Sequence, residues 1–96
     1  MSESTVRFTD AVVGASVLVF DGEVAELFTA LAGSAGRVHR SMLHVSRSDD
    51  RKDNRKVFVT TQPNGRGGGF HLIVPPADRD AVERLLVVIE AAAAPG

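Results

Sequence analysis

From Thr5 to Asp10 the chain alternates, with Val6 and Phe8 on one side and Arg7 and Thr9 on the other, which predicts a half-buried strand. Ala11 to Gly14 reads as a connection with Gly14 as its turn residue. Ser16-Val17-Leu18-Val19-Phe20 is apolar on both faces and predicts an interior strand. Asp21-Gly22 ends that strand. Val24, Leu27, Phe28 and Leu31 then fall at i, i+3, i+4 and i+7, the spacing of a one-sided amphipathic helix. Asp21 is placed to cap that helix, Glu23 and Glu26 suit its positive end, and Gly33-Ser34-Ala35-Gly36 would stop it.

Three more strands are expected, from about Arg37 to Arg47, from Lys56 to Gln62 and from Phe70 to Val74. Ser48 to Arg55 is a polar run that predicts a flexible hairpin loop, and Pro63 to Gly69 is a glycine-rich connection. Pro75-Pro76 breaks the sheet, and Pro76 suits a first helical position. Val82, Leu85, Leu86 and Ile89 repeat the helical stripe, and Ala91 to Ala94 continue it. The predicted order is β-β-α-β-β-β-α. The α+β architecture that buries both stripes is a two-layer sandwich, one mostly antiparallel sheet with two helices packed on one face.

Alternation then assigns the other sheet face. Phe70, Leu72 and Val74 face the helices, which leaves His71 and Ile73 outside. Val57, Val59 and Thr61 face inward, which leaves Lys56, Phe58, Thr60 and Gln62 outside. With Leu43 and Val45 inward, Arg40, Met42 and His44 point outward. Met42, His44, Phe58, His71 and Ile73 thus form an expected interface, too apolar for a plain solvated surface. It reads either as a homodimer face or as a platform on which bases stack beside phosphate-tracking Arg and Lys.

Ninety-six residues make one domain, 1–96, with residues 1–4 and 94–96 expected to fray. Hydrophobic residues at 44% are enough to build a core, which excludes a disordered chain. Without cysteine there is no disulfide framework, thiol nucleophile or Cys-ligated zinc. The first residues carry no basic, apolar leader pattern and no run approaches a membrane span, so a cytoplasmic protein without membrane partners is expected. The net charge of −1 hides an uneven distribution. Residues 37–66 hold eight of the eleven basic residues against three Asp, a net +5, and the remainder carries −6. A small dipolar domain of this kind can draw an anionic partner to one side.

That window supplies the expected nucleic-acid contacts: Arg40, Arg47, Arg51, Lys52, Arg55, Lys56 and Arg66 for phosphates, with Phe58 as a stacking residue. Asn64 to Gly69 lacks the Gly-Lys-Ser/Thr that opens a helix in a nucleotide-binding loop. His39 and His44 point to opposite faces of a regular strand, and His44 and His71 lack a third ligand, so no metal or other cofactor is expected. Ser41 lies between His39 and His44, but a strand would not assemble a triad, and no catalytic residue is assigned.

Phe70 to Glu90, a short strand broken by Pro-Pro and followed by an amphipathic helix, resembles the closing β-α unit of two families. One is the PUR and Whirly type of single-stranded nucleic-acid binders; the other is the roadblock type of dimeric adaptor. The chain departs from the first in lacking an aromatic-rich sheet face and from the second in lacking an N-terminal helix. The resemblance is at the level of fold and assigns no residue a role. The function expected is a small non-catalytic regulatory module, homodimeric, that presents the basic hairpin region 37–66 to nucleic acid. The alternative is a protein–protein adaptor subunit that uses the partly apolar outer sheet face.

Overall fold

The computed structural model describes residues 4–31, 33–50, 52–63 and 66–93. Of the ends expected to fray, 1–3 and 94–96 lie outside the described residues, as do Ala32, Arg51, Asn64 and Gly65, whereas Ser4 already belongs to the first strand. Among the described residues seven strands and one helix follow one another: β1 (Ser4–Asp10), β2 (Gly14–Phe20), β3 (Val24–Thr29), β4 (Gly33–His39), β5 (His44–Asp49), β6 (Arg55–Thr60), β7 (Gly69–Val74) and α1 (Arg79–Ala93). Single 3-10 turns occupy Arg40–Met42 and Pro76–Asp78. The strands form two antiparallel meanders, β1-β2-β3-β4 and β5-β6-β7. The expected single sheet with two helices on one face is therefore corrected to two sheets and one helix.

Two local features make the difference. The first is the segment after Asp21. Its apolar positions satisfy a helical stripe, but the segment between turns is short enough for a strand. The Asp21 carboxylate accepts from the Glu23 and Val24 amides, both at 2.8 Å, and so shapes a tight hairpin turn instead of a helix start. Those amide bonds, Val24 first, hold the Asp21 carboxyl below its ordinary range. β3 then pairs along β2, from Ser16↔Thr29 to Phe20↔Ala25. In a strand the partners change: Ala25 and Leu27 turn inward, while Val24, Glu26 and Phe28 turn outward.

The second is the segment 40–42. His39 accepts the Ser41 amide on its side chain and starts a 3-10 turn. The strand expected from Arg37 to Arg47 is thereby split between two sheets. The hairpin between β5 and β6 is also tighter than the run Ser48–Arg55 suggests, because pairing extends to Asp49↔Arg55.

The core lies between the sheets. Phe8, Leu18, Phe20, Leu27 and Val38 come from the first sheet, Val57, Val59, Phe70, Leu72 and Val74 from the second. α1 adds Val82, Leu85, Leu86 and Ile89, the stripe read from the sequence, and packs on β1, β2 and β5. Each such side chain contributes roughly 1.5–3 kcal/mol on burial. No helix among the described residues is long and apolar enough to cross a membrane.

Two seams join the sheets at β7. At one, Asp10 is buried and its carboxylate accepts from Val12 (2.8 Å) and Val13 (3.1 Å) in its own turn and from Ile73 (2.8 Å) in β7. The Ala11 amide donates back to the Ile73 carbonyl at 3.0 Å. At the other, Gly36 of β4 lies so close to β7 that a Cβ there would stand 2.6 Å from the Gly69 carbonyl oxygen. Backbone cannot yield as a flexible side chain can.

Gly36→Ala is accordingly expected to destabilise the protein by about 1–3 kcal/mol in urea denaturation. Asp10→Ala leaves three amides without their acceptor and is expected to cost about 2–4 kcal/mol, with Asp10→Asn intermediate, in the same measurement.

Candidate binding surface

The first sheet and α1 together bury the inner side of the second sheet, and its outer side is left open. Strand register fixes what that side presents. His44 pairs with Thr60, Ser46 with Phe58 and Ser48 with Lys56. Phe58 pairs with His71 and Lys56 with Ile73. Phe58, His71, Ile73, Lys56 and His44 therefore share the outer face, as alternation predicts. The Phe58 and His71 rings lie 5.8 Å apart between centroids, tilted by 31°. Thr60, expected outside, is buried, and its hydroxyl donates to the Gln62 carbonyl. Met42 does not join the face. It sits exposed in the 3-10 turn beside α1, because residues 40–42 are not a strand.

The β1–β2 turn extends this face. The Asp10 bonds hold Ala11–Val13 against β7, and Val12 stands 73% exposed next to Ile73. Val12 and Ile73 together form a ridge between two hollows. One, of about 750 Å³, runs toward Asp49, Asp50, Lys52 and Lys56. The other, of about 530 Å³, has Leu27 and Phe70 at its base, with Leu31 and His71 also lining it. No local signal in the sequence joins Val12 to Ile73, since they are sixty-one positions apart. An apolar pair, Val12-Val13, inside a turn is the one hint.

The acids of the larger hollow are already engaged. The Asp50 carboxylate accepts from the Lys52 amide (2.8 Å), the Asn54 amide (2.9 Å) and the Asn54 side chain (3.3 Å). Desolvation works against its charge, but these bonds outweigh it and hold the carboxyl below its ordinary range. Asp49 pairs with Arg55 at 3.2 Å. Among the described residues neither Lys52 nor Lys56 forms an ion pair, so the hollow presents two ammonium groups beside an apolar ridge.

Most of the described arginines in the basic window are engaged differently. Arg47 donates to both oxygens of Glu83 (3.1 and 2.7 Å) and to Glu90 (3.0 Å) on α1. The Glu90 carboxylate, and Glu83 after it, hold this guanidinium above its usual range. Arg55 reaches Glu83 as well as Asp49. Arg40 pairs with Glu23 at 3.2 Å and donates to the Ala92 carbonyl at 3.3 Å. Arg66 is exposed on the glycine-rich connection, and Arg51 lies outside the described residues. The charge asymmetry along the chain is thus folded back on itself: the acidic helix lies against the basic β5–β6 hairpin.

The 3-10 turn also assembles a constellation that a continuous strand would not. Ser41 Oγ lies 2.8 Å from His39 Nδ1, and His39 Nε2 lies 3.2 Å from Glu23 Oε2. His39 Nδ1 accepts the Ser41 amide at 3.1 Å, so the ring serves as the cap of the turn. Glu23 is shared with Arg40, and both His39 and Glu23 are about half exposed. Among the described residues no group of three or more His, Asp or Glu is arranged to hold a metal ion. Comparison with protein-family models, curated proteins and solved structures finds no match to the chain.

Arg47→Ala would leave Glu90 without its counter-charge and Glu83 with Arg55 alone. A loss of about 1–2 kcal/mol is expected in urea denaturation, shrinking as salt is raised. Ile89→Ala should cost more, about 2–4 kcal/mol, because burial rather than charge holds the helix down.

Proposed function

We propose that this chain is a small non-catalytic binding module that recognises a protein partner through the outer face of its three-stranded sheet. Apolar side chains of the partner meet Phe58, Ile73 and Val12, and acidic groups meet Lys52 and Lys56. The observation that supports this reading is the ridge of Val12 and Ile73, an exposed apolar feature drawn from two distant segments and flanked by lysines that form no ion pair among the described residues. An apolar anchor within a charged rim is the usual anatomy of a recognition patch. The cytoplasm is the compartment proposed for a chain without cysteine.

A second reading, single-stranded nucleic acid on the same face, is favoured by the Phe58–His71 ring pair beside Lys56. It stands behind the first because Arg40, Arg47 and Arg55 would have to exchange existing carboxylate partners for phosphates.

Amide-resolved NMR titration separates the two. The probes are a peptide of Leu and Phe flanked by Asp and Glu, and an oligothymidine strand. Peptide binding is expected to move Val12, Lys56, Phe58, His71 and Ile73, and Ile73→Asp to weaken it at least about tenfold, the equivalent of one lost apolar anchor. Oligothymidine binding that falls steeply with salt and is lost in Phe58→Ala would favour the second reading. Shifts from neither probe would remove both. Labelling of Ser41 by a serine-directed fluorophosphonate, absent in Ser41→Ala, would overturn the non-catalytic assignment.

A further inference from the structure

β2 is apolar on both sides, yet the fold covers only one. Leu18 and Phe20 point into the core, and the segment predicted to be a second helix is spent as strand β3. The outer side of the four-stranded sheet is therefore left without a layer of its own. Register places Arg7, Val17, Phe28 and Ser34 in one row across it and Thr5, Val19, Glu26 and Arg37 in the next. Phe28 is 38% exposed in the middle of this face. On one side of it is a hollow of about 550 Å³ bounded by Arg7, Ala15, Val17 and Ala30. On the other is a smaller one, of about 320 Å³, bounded by Val19, Val24, Glu26 and Arg37.

We infer that this face is a homodimer interface, in which Phe28 of each copy seats in the hollow between Arg7 and Val17 of the other. A surface that carries both a knob and the hollow to receive it can pair with itself about a two-fold axis. Its charges favour a second copy over a strongly charged partner. Arg7 and Arg37 are balanced on the same sheet by Glu26 and by Asp21 at its end, so like surfaces do not repel. An aromatic ring entering a hollow rimmed by Arg7 gains a cation–π contact. Four strands ~4.8 Å apart and six or seven residues long cover on the order of 400 Å² in plan, before side-chain relief, about half of the roughly 800 Å² per partner of a standard interface, so the dimer is of the weak, dissociable class. The inference is independent of the proposed recognition face, which lies on the other sheet.

Sedimentation velocity on the full chain tests it, over a range of about 5 µM to 1 mM chosen for an interface of this size. The wild type is expected to pass from monomer to dimer within that range. Phe28→Glu should raise the midpoint at least about tenfold, the loss of one aromatic anchor, and Phe58→Glu should leave it unchanged. Val17→Lys is a second disruption of the same hollow, and an unchanged far-UV spectrum and melting temperature show that either variant is folded. A wild type that stays monomeric to the top of the range overturns the inference. So does a dimer that Phe58→Glu disperses while Phe28→Glu and Val17→Lys do not.

Discussion

The arrangement of this molecule depends on one buried carboxylate. Asp10 ends β1, and its two oxygens accept three backbone amides, two in the turn that follows and one from Ile73 on the far sheet. A buried carboxylate without such donors would be unstable, so burial and bonding require each other. The consequence is geometric. The β1–β2 turn is held against β7, the two meanders share an end, and Val12 is brought beside Ile73. Both hollows at the proposed recognition face exist because of that attachment. The close approach of Gly36 to Gly69 fixes the second point of contact, and two points orient one sheet on the other.

Electrostatics has a supporting role. The basic hairpin and the acidic helix come from different parts of the chain and neutralise one another through Arg47, Glu83 and Glu90. Partly exposed ion pairs contribute little net energy, whereas the four buried aliphatic side chains on α1 contribute roughly 1.5–3 kcal/mol each. Packing therefore holds the helix, and the ion cluster sets its rotation and register over β5. Arg40, Arg47 and Arg55, three of the arginines that a phosphate-binding surface would use, are held by carboxylates. Positive charge remains available at Lys52 and Lys56, next to apolar groups, and this moves the functional reading toward a protein surface.

The two uncovered sheet faces differ in the way the two proposals require. The outer side of β5-β6-β7 is small, carries an aromatic–histidine pair and adjoins a cationic hollow, which suits recognition of a different chain. The outer side of β1-β2-β3-β4 is broader and charge-balanced, and its knob lies between hollows, which suits a copy of itself. Neither proposal needs the other face, so the two are compatible.

Local pattern was a sound guide wherever one element satisfies itself. The stripe Val82, Leu85, Leu86, Ile89 determined α1 and its buried side, because a helix closes its own hydrogen bonds. Alternation in β6 and β7 determined which way Phe58, His71 and Ile73 point, because a strand has only two sides. The segment from Val24 to Leu31 has helical spacing but strand-compatible length, and there the choice fell to tertiary pairing: β2 on one side and β4 on the other supply the ladder bonds that make Val24–Thr29 a strand. The same holds for Met42, whose direction was set by the 3-10 turn that splits one expected strand between two sheets. The ridge of Val12 and Ile73, the neutralisation of Arg47 and the uncovered side of β2 belong to the tertiary structure alone. Each depends on contacts between residues far apart in the chain, and such contacts leave no periodic trace in the sequence.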